Sequence, residues 1–311
     1  MTLNHGLFAL MALIWGLTWI AIKAGISAVP PAFFAAARYL LVALVLAIAV
    51  KGSWSAFQGG RAPRVVATGA LNNVATYALL FWGMQYVPSG VAGLVNLALM
   101  PVSLYGLAIL FGDERATWRH AAALALGMVG LVALFWDKTS SAAGQVEAAG
   151  LVAVVAATFS YALGSVLSRP LLHKVTPLEL TGAHAIVGAV GLMAVSLAFE
   201  PISGAQLLSL LSPAPLLGLA FLVVFGTFVA YTVYLRLVHA WGAPRAGLFA
   251  FVSPVVALIA GTLVFAEPLG AREAIGAAAM LAGAGLAMPG HGLARSLPAS
   301  QQQSHLGERP S

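Results

Sequence analysis

The chain has 311 residues, of which 61% are hydrophobic and only 8% are charged. Soluble domains carry about 25% charged residues, so this composition excludes a soluble globule and predicts an all-α polytopic protein with the lipid bilayer as its partner. The absence of cysteine excludes disulfides and thiolate catalysis. The net charge of +6 comes from basic residues scattered over short connections, so we expect no nucleic-acid partner, and no motif indicates a cofactor or a metal.

Ten apolar segments are long enough to cross a bilayer core, which needs a helix of about 20 residues. The first lacks the basic start of a signal peptide and is therefore interpreted as a span. The polar tail, 290–311, is predicted to be disordered. The predicted spans are 5–23, 31–50, 64–84, 88–111, 116–136, 147–168, 177–198, 213–237, 243–265 and 271–289.

The distribution of Lys and Arg predicts the orientation of these spans. If the N-terminus lies inside, eleven of the fifteen basic residues fall on the inner side. Lys23, Lys138 and Arg272 fall on the outer side, and Arg38 lies within span 2. Because short cytoplasmic connections are enriched in basic residues, both termini are predicted to be cytoplasmic.

Two blocks of the sequence repeat at a fixed offset. Trp15, Lys23 and Pro31 match Tyr161, Arg169 and Pro177 at an offset of 146. The run from Pro101 through Glu114 to Arg119 matches that from Pro254 through Glu267 to Arg272, at an offset of 153. Repeats over 5–136 and 147–289 would hold five spans each. Because five is an odd number, the second repeat begins on the opposite side of the membrane and has the inverted orientation. Inverted repeats are typical of secondary transporters with a site near the midplane. Chance similarity between two Ala/Leu-rich halves is the alternative.

These features resemble the drug/metabolite transporter superfamily, in its branch built from two EamA-type domains. The resemblance covers residues 5–289 and depends on Trp15-Gly16, Arg38 in span 2 and the Pro-then-Glu pattern of spans 4 and 9. It implies a bacterial inner-membrane carrier, often an exporter of aromatic amino acids, threonine or homoserine. It also implies a cavity lined by spans 1, 3, 4, 6, 8 and 9. The second copy has His184 in place of Arg38, so the halves are not equivalent.

Polar and aromatic side chains on shared faces of these spans are the candidate substrate-binding residues. Asn, Ser and Thr could instead bond between helices, and Tyr234 and Trp82, near span ends, are interpreted as interfacial anchors. The candidates are Trp15, Thr18, Trp19, Arg38, Asn72, Asn73, Tyr77, Asn96, Ser160, Tyr161, Ser165, Thr227 and Tyr231.

Arg38 is the most informative candidate. It lies about seven residues, roughly 10 Å, inside the outer end of span 2, where an unpaired cation costs several kcal/mol. One hypothesis is that it faces an aqueous cavity and attracts a carboxylate. The other is that it caps helix carbonyls or pairs with an acidic residue.

All nine acidic residues lie at span ends or in loops. Glu179 follows Thr176 by three residues and predicts a capping box, while Glu114 and Glu267 are expected to organise the turns into spans 5 and 10. Because no carboxylate lies at mid-membrane to exchange a proton, the sequence favours a facilitative carrier.

Pro101 and Pro254 are predicted hinges, or fixed bends that shape the cavity. Small residues on spans 5 and 10 allow close packing, within a monomer or between the chains of a homodimer. We therefore expect an alternating-access exporter of small neutral molecules, most readily amino acids, and not an enzyme, because hydrolytic motifs are missing. A cation or multidrug carrier, a channel and a structural membrane protein are the alternatives.

Overall fold

A computed structural model describes residues 3–50, 54–112, 117–135, 141–242 and 246–287. Within these ranges the regular secondary structure is entirely helical. The long helices are α1 Leu3–Ile26, α2 Pro31–Ala49, α3 Ala62–Gly83, α4 Ser89–Leu110, α5 Trp118–Phe135, α6 Ala142–Ser168, α7 Pro177–Phe199, α8 Pro213–Trp241, α9 Phe249–Phe265 and α10 Ala271–Ala287.

Seven of the described helices, α1 to α4 and α6 to α8, are long and apolar enough to cross a membrane. Two shorter apolar helices, Ala121–Leu134 and Phe249–Phe265, lie within α5 and α9. The all-helical, membrane-spanning class is thus confirmed, and each predicted span coincides with a helix. α6 begins before its predicted bound, at Ala142, because Ser141 accepts a hydrogen bond from the Gly144 amide as its N-cap. The predicted tail lies outside the described residues.

The helix bundle has two ends. The N-terminal face is the end where α1 begins, and the far face is the opposite end, where α1 ends and α2 begins. One continuous buried core, which includes Phe34, Phe81 and Val91, joins the helices toward the far face. At the N-terminal face the described buried residues form smaller, separate clusters. One joins α1, α8 and α9 around Met11 and Leu237, a second joins α3 and α7 around Val65, and a third joins α4 and α5 at Val102 and Ala123.

Small residues let α5 and α10 pack on each other within one chain. A side chain at Gly130 would collide with Met280, and one at Gly283 would come within 2.9 Å of the Ala123 carbonyl oxygen. The small-residue faces are thus used inside the monomer, which is one of the two arrangements that the sequence allows.

The capping box predicted at the start of α7 is confirmed. The Thr176 hydroxyl accepts from the Glu179 amide, and the Glu179 carboxylate accepts from the Thr176 amide at 2.8 Å. This cap therefore satisfies backbone donors at the start of α7 and stabilises its first turn.

Thr176→Ala should lower the free energy of unfolding by about 1 kcal/mol, because the first turn of α7 loses its side-chain acceptor. Thermal unfolding in detergent measures the change. Thr181→Ala is the control, since the exposed Thr181 hydroxyl donates only to the Pro177 carbonyl of its own helix. Equal destabilisation by the two substitutions would contradict a role for the cap.

Candidate substrate-binding site

Tyrosines from three helices converge beside the buried clusters, with Tyr77 packed against the far-face core and Tyr234 against the cluster around Met11 and Leu237. The hydroxyl of Tyr161 on α6 interacts electrostatically with those of Tyr77 on α3 and of Tyr231 and Tyr234 on α8. Tyr161 is nevertheless 37% exposed. We call these four residues the tyrosine site.

Trp15 of α1 closes one side of the tyrosine site. Its indole ring lies 5.7 Å from the Tyr234 ring and 4.3 Å from the Phe249 ring, centroid to centroid. Its Nε1 donates to the Gly226 carbonyl of α8 at 3.1 Å. Tyr234, interpreted from the sequence as an interfacial anchor, packs its ring against Trp15 and Phe249.

The other two candidates on α1 lie differently. The Thr18 hydroxyl donates to the Trp15 carbonyl at 2.6 Å, which satisfies it within its own helix. Trp19 is buried in the far-face core, where its ring covers Gly93 of α4. A side chain packed in this way shapes the core, and the structure does not bring Trp19 to the tyrosine site.

Arg38 lies at the far-face end of the tyrosine site. Its guanidinium carbon is 5.6 Å from the ring centroid of Tyr39 and 5.3 Å from that of Tyr77, both within cation–π range. Its Nη2 donates to the Thr227 hydroxyl of α8 over a long 3.5 Å, and its buried Nε has no partner. Among the described residues no carboxylate bonds to Arg38, so the hypothesis of an acidic partner finds no support there.

Both α3 and α8 contain a π-helical segment at mid-length. In α3, over Ala70–Ala75, the Thr76 hydroxyl donates to the Leu71 carbonyl at 2.7 Å. In α8, over Phe221–Val229, the Thr227 hydroxyl donates to the Leu222 carbonyl at 2.9 Å. Each threonine fills the gap left by an interrupted backbone ladder. Such bulges occur frequently at functional sites in proteins.

Most polar candidates on α3, α4 and α6 make interhelical bonds. The Asn73 amide donates to the His184 carbonyl of α7 at 2.8 Å, and the Asn96 amide donates to Thr158 of α6 at 3.0 Å. The Ser160 hydroxyl donates to the Leu71 carbonyl at 2.9 Å. These are the interhelical bonds that the sequence leaves as the alternative to solute contact.

Two further candidates lie close to the tyrosine site on α3 and α6. Asn72 is buried against Gly164 of α6, where its Oδ1 has no hydrogen-bond partner. Ser165, one turn after Tyr161, interacts with the Tyr161 hydroxyl. The predicted hinges, Pro101 and Pro254, lie inside α4 and α9.

Three charged residues bind helix ends at the far face, a role that the sequence does not indicate for any of them. Lys23 Nζ donates to the Met84 carbonyl at the end of α3 at 2.6 Å. The Glu200 carboxylate accepts from the Ala32 amide of α2 at 2.7 Å. We call Lys23, Glu200 and Glu267 the far-face clasp.

Glu267 does not have the role expected from the sequence, which was to organise the turn into α10. Its carboxylate instead accepts from the Ser89 amide at 2.6 Å, the Ser89 hydroxyl at 2.9 Å and the Gly90 amide at 3.0 Å, all at the start of α4. Gly261 leaves room for it, because any side chain there would collide with the carboxylate. Glu114 lies outside the described residues.

Several known transporters are similar to this chain in sequence. An uncharacterised transporter of Archaeoglobus fulgidus is 28% identical over 280 residues, which cover 88% of this chain and 95% of the relative. A probable amino-acid metabolite efflux pump of Escherichia coli is 27% identical, with 91% and 94% covered. An uncharacterised inner membrane transporter of Escherichia coli is 29% identical, with 86% and 84% covered.

A solved crystal structure shares the fold, with a TM-score of 0.60 at 20% identity over 91% of this chain and 96% of that one. The model of the EamA-like transporter family matches residues 4–136 and again 148–288. The chain is therefore a multi-pass membrane transporter and not an enzyme, and it belongs to the EamA-like transporter family of the drug/metabolite transporter superfamily.

Proposed function

We propose that the protein exports small neutral metabolites, above all amino acids with aromatic or other apolar side chains, across a bacterial inner membrane by alternating access. The observation that carries this proposal is the tyrosine site, with Trp15 beside it and a partly exposed Tyr161 at its centre. Aromatic rings with polar tips suit a solute that is apolar at one end and polar at the other. The name of the Escherichia coli efflux pump is consistent with such a substrate.

The proposed architecture is ten spans in two inverted five-helix repeats, 5–136 and 147–289, followed by the tail 290–311. The π-helical segments support it, since Leu71 and Thr76 match Leu222 and Thr227 at a common offset of 151. Helix packing supports it too. α1 packs on α8 and α9, as α6 packs on α3 and α4, and α2–α7 and α5–α10 pair across the pseudo-symmetry axis.

Alternating access follows from the unequal ends of the bundle. A single core and the far-face clasp close the far face, whereas the described buried residues of the N-terminal face fall into smaller, separate clusters. From the distribution of Lys and Arg we infer that the N-terminal face, with both termini, is cytoplasmic. This arrangement suits a carrier open to the cytoplasm, and Pro101 and Pro254 would bend α4 and α9 as the repeats rock.

We further propose that transport is facilitative. The described acidic residues Glu200, Glu267 and Glu273 all bond to backbone amides at helix N-termini, where they stabilise the fold. A proton-driven carrier generally needs a titratable group that alternates between proton and substrate inside the membrane. His184, which is bonded to Thr68 at 2.9 Å, is buried and does not border the tyrosine site.

Counterflow in proteoliposomes tests the function. Vesicles preloaded with each of the twenty amino acids should accumulate the labelled form of those that the carrier accepts, with aromatic ones strongest. A pH gradient alone should drive no uphill uptake. Tyr161→Ala should reduce accumulation at least about tenfold, because an aromatic contact and its polar tip are lost, whereas Tyr86→Ala at the exposed far face is the matched control.

Equal transport by Tyr161→Ala and Tyr86→Ala would show that the tyrosine site does not bind the solute. Accumulation of quaternary ammonium ions in place of amino acids would establish a cation carrier and contradict the proposed substrate class. Single-channel currents in a planar bilayer would contradict alternating access.

A further inference from the structure

We propose that Arg38 binds the carboxylate of the substrate, so that every transported molecule carries a carboxylate beside an apolar or aromatic body. This inference rests on the proposed function, because it assigns the substrate class of the same site. It also makes one residue, present in the first half of the chain only, responsible for selectivity against amines.

The first argument is charge. The Arg38 guanidinium lies inside a membrane-spanning helix. None of the described carboxylates bonds to it, and its buried Nε has no hydrogen-bond partner. A buried cation without a counter-ion is unfavourable, and a bound anion would remove that cost.

The second argument is orientation. The rings of Tyr39 and Tyr77 lie together on one side of the guanidinium, at 5.6 and 5.3 Å, and limit the positions that it can take. The two rings also contact each other edge to face, with 5.0 Å between their centroids. A guanidinium held in this way presents parallel N–H groups, which match the two oxygens of a carboxylate.

The third argument is the weak acceptor that Arg38 now has. The Thr227 hydroxyl already donates to the Leu222 carbonyl, so only its lone pairs are available to Nη2, and the bond is long at 3.5 Å. A carboxylate oxygen is a stronger acceptor for a guanidinium than a neutral hydroxyl is. The substrate carboxylate would therefore replace the Thr227 hydroxyl as the acceptor for Arg38. Because Thr227 lies in the π-helical segment of α8, substrate binding would also affect α8, which packs on α1.

The arrangement also fixes which way the substrate lies. Arg38 is seven residues from the start of α2 at the far face, whereas Tyr161 is seven residues from the end of α6 at the N-terminal face. A carboxylate on Arg38 thus directs the rest of the molecule toward Tyr161 and the tyrosine site. An amine in the same place would bring two cations together.

Competition binding on the purified, full-length protein tests this inference. Three aromatic ligands are compared: phenylalanine, its amide, which lacks the anionic oxygen, and phenylacetate, which lacks the ammonium. In the wild-type protein, phenylalanine should bind about 10- to 100-fold more tightly than its amide, the value of one charge-assisted pair. Arg38→Gln should abolish this difference, because it should lower the affinity only for the two ligands that carry a carboxylate, phenylalanine and phenylacetate. Arg38→Lys should restore part of it, since a point charge lacks the planar fork.

Lys174→Gln, an exposed substitution on the N-terminal face, is the control and should leave all three affinities unchanged. Equal binding of phenylalanine and its amide to the wild-type protein would overturn the inference without any variant having to fold. If phenylacetate binds through Arg38 but no amino acid does, the inference stands and the proposed amino-acid function fails. If amino acids bind equally well to Arg38→Gln, the function stands and the inference fails.

Discussion

Glu267→Ala should open the far face of the transporter and lower its free energy of unfolding by about 2 to 4 kcal/mol. The Glu267 carboxylate accepts three hydrogen bonds from the start of α4, and Ser89, which donates two of them, is fully buried. Alanine would leave these donors without an acceptor. It would also remove a negative charge from the positive end of the α4 dipole.

The conformational part of this prediction follows from where the bonds lie. Glu267 lies just after α9, in the second half of the chain, and α4 belongs to the first half. The bond between them therefore holds the two halves together at the far face, and Lys23 lies within electrostatic range of the same carboxylate. Losing it should shift the equilibrium toward a state open at that face.

Labelling of a single cysteine measures that shift, because the natural chain contains none. A cysteine in place of Val91, which is 4% exposed in the far-face core, should react faster with an impermeant maleimide when Glu267→Ala is present. Glu273→Ala is the matched control, since the Glu273 carboxylate accepts only from the Gly270 amide of its own helix start. If Glu267→Ala lowers the free energy of unfolding but leaves the labelling rate of this cysteine unchanged, Glu267 only caps α4 and does not hold the far face closed.

The helices were predictable because bilayer thickness and apolar length determine them almost alone. The capping box at Thr176 and Glu179 was predictable as well, since it is local and follows a three-residue spacing. Both rules act within one segment of the chain and need no knowledge of what lies across the bundle.

Other features were not predictable because they join distant segments. Nothing local to Glu267 indicates that it binds the start of α4, 178 residues earlier in the chain. Nothing local to Tyr234 indicates its ring partners, Trp15 and Phe249, which come from other helices. Asn73 and Asn96 were expected at the solute because they are polar, and the structure gives both of them protein partners.

Gly83→Ala should destabilise the protein by about 1 to 3 kcal/mol, the usual cost of overpacking, although alanine is the better helix former. Gly83 lies where α3 crosses α6, and a Cβ there would come within 2.6 Å of the Gly150 carbonyl oxygen. That oxygen belongs to the backbone, so the helices themselves would have to separate. Separation there would also strain the neighbouring end of α3, whose Met84 carbonyl Lys23 binds.

Gly106→Ala in α4 is the matched control, because nothing lies within 4 Å of a Cβ at that position. It should leave stability unchanged or raise it by up to about 1 kcal/mol through helix propensity alone. Comparing the thermal unfolding of Gly83→Ala and Gly106→Ala in detergent therefore separates the effect of packing at the helix crossing from that of helix propensity. A stabilising Gly83→Ala would mean that α3 and α6 can move apart freely at the far face. In that case the closed core, from which we infer alternating access, would be loosely packed and could not act as a gate.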